Sequence, residues 1–284
     1  MNFQWYPGHM TKAKRQMLED IKLIDLVIEL IDARIPFSSR NPDIDNIARN
    51  KARLVLLNKS DMADEEKTAE WKDYFINKGF HVCVINSLNR GDMKQINDVV
   101  RAACTEKIER DRKRGIRNRP VRAMVVGIPN VGKSTFINSF AGKGAARTGN
   151  KPGVTKGKQW IKLSQTLELL DTPGILWPKF EDQLTGLKLA LIGSIKDEII
   201  NIEELSLELI KMIGSLYPDA LYSFYGIQAD GNEDPAHVLE RIAVQRGCLS
   251  KGGGTDYLRA AGLILENFRN GRIGRFTLER PEDI

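Results

Sequence analysis

Gly127-Ile128-Pro129-Asn130-Val131-Gly132-Lys133-Ser134 decides the fold, because it fits the phosphate-binding pattern G-x-x-x-x-G-K-S/T at every fixed position. Such a loop works by aiming successive backbone N–H groups at phosphate oxygens, at the N-terminus of a helix whose dipole favours anions. Gly127 and Gly132 let the chain approach that closely. Lys133 is expected to reach the β- and γ-phosphates, and the Ser134 hydroxyl to ligate Mg²⁺. The flanks agree: Ala123-Met124-Val125-Val126 is an apolar run of strand length, and 134–141 reads as the helix behind the loop. With average residue usage, a chance match in a chain this long is on the order of one in a hundred.

Toward the N-terminus, Asn58-Lys59-Ser60-Asp61 fits the guanine-recognition motif N-K-x-D at the end of a second apolar run, Leu54-Val55-Leu56-Leu57. A carboxylate at Asp61 accepts from guanine N1–H and the 2-amino group, whereas adenine lacks that amino group and presents a lone pair at N1, so ATP is rejected. The Asn58 side chain can tie this loop to the phosphate loop, and the Lys59 stem can cover the base. Asn86, Ser87 and Leu88 end a third strand, Val82-Cys83-Val84-Ile85, and are candidates to complete the base contact, Ser87 and Leu88 through backbone N–H. Toward the C-terminus, Asp171-Thr172-Pro173-Gly174 fits D-x-x-G. Asp171 is expected to hold Mg²⁺ through water and the Gly174 N–H to sense the γ-phosphate, with Thr155 as the Mg²⁺-binding threonine of switch I. The expected GTP contacts are Asn58, Lys59, Asp61, Asn86, Ser87, Leu88, Asn130, Val131, Gly132, Lys133, Ser134, Thr135 and Gly174. The guanine motifs precede the phosphate loop, giving the order G4-G5-G1-G2-G3 in place of one that starts at G1. That order implies a circular permutation, which changes what the nucleotide switch can move.

Many GTPases place a glutamine after D-x-x-G to orient the attacking water. Here Ile175 and Leu176 follow Gly174, and an aliphatic side chain cannot orient water. Either a partner completes the site or a polar group comes from elsewhere. His9, in Trp5-Tyr6-Pro7-Gly8-His9-Met10, is the candidate catalytic residue, with a packing histidine as the alternative. His81 and His237 have no such context and read as structural.

Further runs read as strands at 25–31, 158–163 and 167–170, alternating with helices at 41–51, 63–78 and from Ile96 to about Arg114. Strands alternating with helices predict a parallel α/β sheet with ligands beyond the C-terminal strand ends. Past Pro178 strand signals fade, and 182–195, 201–213, 236–246 and 255–268 read as amphipathic helices. The expected architecture is α/β: a circularly permuted P-loop GTPase domain with a Ras-like parallel sheet over 1–176, then an all-helical C-terminal domain over 177–284.

Composition bounds the rest. The chain has 284 residues, 42% hydrophobic and 28% charged, as in a soluble globular protein. No apolar run reaches the roughly 18 residues of a bilayer span. The first residues show neither a signal-peptide core nor an organelle leader, so a cytoplasmic protein is expected. Cys83, Cys104 and Cys248 share no metal or redox spacing. With 43 Lys+Arg against 37 Asp+Glu the net charge is +6, a modest excess whose clustering matters more than its sum. Lys107, Arg110, Arg112, Lys113, Arg114, Arg117 and Arg119 crowd the joint between the permuted halves. They form either a solvated linker or a surface for a phosphate backbone.

Together these motifs resemble the YlqF family of circularly permuted GTPases. The resemblance runs over nearly the whole chain: Trp5 to Met10, Asp32 to Pro36, Asn58 to Asp61, Asn86-Ser87, Gly127 to Ser134, Pro152 to Thr155, Asp171 to Gly174, and Lys251-Gly252-Gly253-Gly254-Thr255-Asp256. It implies a GTPase acting late in assembly of the large ribosomal subunit, contacting its rRNA and stimulated by the particle, with hydrolysis lacking the usual glutamine and a role for His9. It also implies an RNA-contacting helical domain and, through Asn130, potassium as an activating cation beside Mg²⁺. A monomer is expected. RNA contact is expected from the 107–119 joint, from Lys12, Lys14 and Arg15, and from Lys251, Arg259, Arg269, Arg272 and Arg275. Three rival readings stay open: a GTPase acting on tRNA or the small subunit, a scaffold that barely turns over, and a P-loop kinase of metabolism.

Overall fold

The computed structural model describes residues 15–116, 119–141, 160–170, 182–229, 232–250 and 252–284. Their backbone forms two compact units. One comprises 15–60, 65–170 and Glu279–Ile284; the other comprises Asp61–Asp64 and 182–278.

The first unit is built on a six-stranded sheet in the order β3-β2-β1-β4-β6-β5. Its strands are β1 (Leu26–Asp32), β2 (Ala52–Asn58), β3 (His81–Val84), β4 (Val121–Val126), β5 (Trp160–Lys162) and β6 (Leu167–Leu170). All neighbours are parallel except β5 on β6. Around the sheet lie α1 (15–20), α2 (Asp43–Ile47), α3 (Glu65–Asn77), α4 (Arg90–Ala103), α5 (Thr105–Lys113) and α6 (Lys133–Ala141). β1 is buried along its whole length, as a central strand covered on both faces must be. Each of its Leu, Val and Ile side chains contributes about 1.5–3 kcal/mol by leaving water.

Glu29 sits on that strand at 1% exposure, and two guanidiniums answer it: Arg40 at 3.1 Å and Arg53 at 2.8 Å. Both stack on Phe80 and both also pair with the exposed Asp45, so the cluster runs from the buried strand out to the surface. Cys83, Cys104 and Cys248 are all buried, and burial pushes the thiols of Cys83 and Cys104 up to about 11, which leaves them protonated and unreactive near neutral pH.

The second unit is helical: α7 (Gln183–Leu191), α8 (Ile202–Leu216), α9 (Ala220–Tyr225), α10 (Pro235–Gln245) and α11 (Tyr257–Arg269). α8 is the centre, packed by α7, α9, α10 and α11. Its Leu205, Leu209 and Ile213 recur every four residues and are all fully buried, so one stripe faces the core. Helix starts follow from capping side chains. Asp182 accepts from Leu184 N–H and Thr185 N–H, and Asn201 from Glu203 N–H and Glu204 N–H. Asp234 accepts from Ala236 N–H ahead of Pro235 in the first turn, and Asp256 from Arg259 N–H. Each cap is worth about 1 kcal/mol.

Several features depart from the sequence expectation: β5 runs antiparallel where a parallel sheet was expected, and the helix expected from Ile96 to about Arg114 is broken at Cys104 into α4 and α5. α4 begins at Arg90, six residues before Ile96, because the Asn89 side chain caps it through Gly91 N–H. α9 was not expected; it is one and a half turns ended by Gly226 at φ +71°. Among the described residues no helix is long and apolar enough to cross a membrane.

Candidate nucleotide site

The parallel register brings the loops together. Asp32 pairs with Asn58, so β1 and β2 release their chains side by side, and Glu29 pairs with Val126, so β4 ends beside them. The chain after β4 passes so close to β1 that a Cβ on Gly127 would lie 2.6 Å from the Leu30 carbonyl oxygen, a distance no side chain tolerates. The second loop glycine is required for a different reason. Gly132 has φ +102°, and a Cβ there would sit 2.5 Å from Asn58 Nδ2.

Asn58, 2% exposed, is the hub. Its Nδ2 donates to the Val131 carbonyl at 2.8 Å, which is the tie to the phosphate loop expected from the sequence. Its Oδ1 accepts from Ser87 N–H at 3.0 Å and from Ser87 Oγ at 2.7 Å. One amide thus holds three loops that are distant in sequence. Leu88 N–H donates to Asn86 Oδ1 at 2.9 Å, and Asn86 N–H to Asp92 Oδ2 at 2.8 Å. The Ser87 N–H is therefore taken by Asn58 and the Leu88 N–H by its own loop's turn, and the surface Leu88 offers a base is its side chain, 71% exposed.

Lys59 adopts φ +60°, as does Asn130, a conformation uncommon for residues other than glycine and enriched at functional loops. From that backbone the Lys59 ammonium donates to the Asn130 carbonyl at 2.9 Å and lies 2.9 Å from Asp32 Oδ2. Asp32 is fully buried and also accepts from Arg34 Nε at 2.9 Å and Arg34 Nη2 at 2.8 Å. Burial alone would raise its carboxyl; the guanidinium of Arg34 and the ammonium of Lys59 outweigh that and hold it well below the usual carboxylate range. This charge cluster is the part of the site that sequence reasoning missed, although Asp32 to Pro36 stood out as a motif. The signal was an acidic residue at the end of a buried strand next to the one that delivers Asn58.

Lys133 opens α6, and its ammonium donates to the carbonyls of Gly127 at 3.0 Å and Ile128 at 3.2 Å. Ser134, the next residue, is exposed in the first turn. Asp61 is also exposed. His9, Thr155, Asp171 and Gly174 lie outside the described residues, as do Lys12, Lys14, Arg117, Lys251, Ile175 and Leu176.

The basic residues sort into two kinds. Lys107 is an internal pin, 3.5 Å from Asp25 and 3.3 Å from Asp111. Arg269 is another: it meets Asp197 at 2.7 Å and donates to the carbonyls of Leu191 and Ala190. Arg275 donates to the Ala63 carbonyl. These three have structural work that explains their charge without RNA. Arg110, Arg112, Lys113 and Arg114 are exposed on and just beyond the last turn of α5; Arg15 on α1, Arg259 on α11 and Arg272 after α11 are exposed too.

A phosphate loop on the central strand, fastened through Asn58 to an N-K-x-D loop that precedes it in the chain, defines a P-loop GTPase in circularly permuted order. Known proteins agree. A family profile described as "50S ribosome-binding GTPase" matches residues 122–216. Ribosome biogenesis GTPase A of Bacillus cereus is 49% identical over 283 residues, spanning 100% of this chain and 95% of that protein. The solved structures of YlqF from Thermotoga maritima superpose with a TM-score of 0.68. The GNP-bound form is 31% identical and covers 96% of this chain and 100% of the other; the GDP-bound form is 30% identical and covers 95% and 100%. The chain belongs to the ribosome biogenesis GTPase A (YlqF) family and is a GTPase.

Proposed function

We propose that this GTPase is an assembly factor of the large (50S) ribosomal subunit, which binds rRNA in its GTP form and is released after particle-stimulated hydrolysis. The observation that carries the nucleotide half of this reading is the Asn58 amide, which joins the guanine loop, the Ser87 loop and the phosphate loop. Asp61 reads the guanine edge, Lys59 covers the base, and Asn86, Ser87 and Leu88 flank it. Asn130 to Thr135 wrap the phosphates at the N-terminus of α6, with Lys133 carrying the neutralising charge. Gly174 reports the γ-phosphate. The exposed Ser134 hydroxyl, a hard oxygen donor beside the phosphate loop, fits Mg²⁺, and Thr155 and Asp171, the latter through water, complete the set with phosphate oxygens. Such an ion would neutralise phosphate charge. Potassium is the proposed second cation, held with the help of Asn130. His9 is the proposed residue that orients the attacking water in place of a glutamine.

The partner half rests on the likeness to the 50S ribosome-binding GTPase family and on the exposed basic end of α5. Because D-x-x-G is the last nucleotide motif, switch II runs through Trp177-Pro178 into the helical residues, and loss of the γ-phosphate is transmitted along that short stretch. We place the protein in the cytoplasm as a monomer. The test is sedimentation with purified subunits at rising salt. GTP-analogue-loaded protein should travel with the large subunit and GDP-loaded protein should not, with affinity falling steeply as salt rises. Binding that ignores both nucleotide and salt, or that prefers the small subunit, would overturn the reading.

A further inference from the structure

α5 is fastened to the end of the sheet where the central strands begin. The Lys107 ammonium donates to the Pro120 carbonyl at 3.4 Å and lies 3.5 Å from Asp25 Oδ2, and those two residues immediately precede β4 and β1. Asp25 Oδ2 also accepts from Arg122 N–H at 3.0 Å, so one carboxylate ties both strand starts to α5. One turn further along the helix, the buried Asp111 carboxylate meets Lys107 at 3.3 Å. Asp111 fixes the helix end as well, because its carbonyl accepts from Arg114 N–H at 3.1 Å and from Ile116 N–H at 3.0 Å.

The nucleotide loops leave the other end of the same sheet. Asn58 closes β2, and the phosphate loop follows Val126, the last residue of β4. β1, which lies between them, is seven residues long, and at the rise of an extended chain that separates its two ends by about 20 Å.

Arg110 and Arg112 flank Asp111, and Lys113 and Arg114 follow. All four are exposed, and none forms an ion pair with a described residue. Glu106 and Glu109 stand one turn earlier, at the spacing of helix pairs, yet neither closes on them. The chain from Thr105 to Ile116 contains no aromatic residue, so it offers an unpaired base nothing to stack on. Closely spaced cations, three of them arginines whose planar forks match phosphate oxygens, suit the backbone of an RNA duplex, which is recognised by shape and phosphate.

We propose that the basic end of α5 is a constitutive anchor for the phosphate backbone of double-stranded RNA, set at the end of the sheet opposite the nucleotide, so that it grips RNA equally in the GTP and GDP forms. The nucleotide dependence of RNA binding then arises in other residues. The inference rests on the protein binding RNA and on the nucleotide lying at the loops of Asn58 and Lys133.

The test measures binding of the full chain to a plain RNA duplex of mixed sequence across a salt series, with a GTP analogue and with GDP. Wild type is compared with a variant carrying Arg110→Gln, Arg112→Gln, Lys113→Gln and Arg114→Gln. Loss of four phosphate contacts should lower the slope of log affinity against log salt by about 3, and by the same amount in both nucleotide forms. An unchanged slope, or wild type that binds no duplex at low salt, overturns the anchor. A change confined to the GTP-analogue form overturns its independence of nucleotide, and tighter binding of wild type to single-stranded poly(U) overturns the duplex as ligand. Sedimentation with purified subunits, run in parallel, separates this inference from the assembly reading: wild type that ignores the large subunit, while the variant still loses slope on the duplex, sinks that reading and supports the anchor. Should the fourfold variant not fold, Arg112→Gln with Lys113→Gln decides, with about half the change in slope.

Discussion

Asp32 shows how much of a nucleotide site lies outside the residues that would touch the nucleotide. Its carboxylate neutralises two cations in a fully buried setting, and one of them, Lys59, is thereby held against the Asn130 carbonyl of the phosphate loop. Removing the charge leaves Arg34 and Lys59 with a neutral partner in a low-dielectric site. Asp32→Asn should cost about 3–5 kcal/mol of stability at neutral pH, as breaking a buried ion pair does, and should weaken GDP and GTP binding together; urea unfolding and nucleotide titration check this. The sign of the pH dependence follows from the lowered carboxyl. The contribution is complete above the unfolded-state value of about 3.9 and is lost as pH falls from there toward the folded-state value. Between about pH 5 and 8 Asp32 adds no pH dependence, and the gap between wild type and Asp32→Asn should narrow only in acid. The sequence showed the motif but not this role, since a contact between Asp32 and Lys59 exists only once β1 and β2 lie in register.

The strands were legible because β-branched and leucine-rich runs end at recognisable motifs, so each strand came with its loop attached. Helix starts were less so. The first turns of α4 are polar apart from Met93, so periodicity signalled nothing until Ile96, and Asn89 revealed itself as a cap only through its bond to Gly91 N–H. The stretch after α11 had no period to read. It is held by particular hydrogen bonds: the buried Glu279 carboxylate accepts from Phe37 N–H, Ser38 N–H and the Ser38 hydroxyl, while its carbonyl accepts from Trp71 Nε1. Glu279→Gln places an NH₂ group where N–H donors converge and removes the charge that strengthens those bonds. It should lower stability by about 1–3 kcal/mol, seen as a lower melting temperature. Replacing exposed Glu282 should change little, since surface pairs contribute little.

For the molecule as a whole, the permuted order makes D-x-x-G the last nucleotide motif in the chain. The helical residues thereby follow the last switch, and the chain then returns Glu279–Ile284 to the sheet unit. The motifs announced the nucleotide. The placement of Asp61 to Asp64 with the helical residues was not legible, because no local pattern marks a carbonyl that a distant backbone N–H will bond. The proposed partner was legible only through resemblance: positive charge on α5 suits a phosphate backbone but names no particular one. GTP hydrolysis should therefore be measured with no addition, with purified large subunits and with purified small subunits, each in potassium and in sodium. The large subunit alone should raise turnover by at least about tenfold, more in potassium, and His9→Ala should abolish that rise while leaving nucleotide affinity nearly unchanged. Equal stimulation by both subunits, or by neither, would contradict an assembly switch of the large subunit.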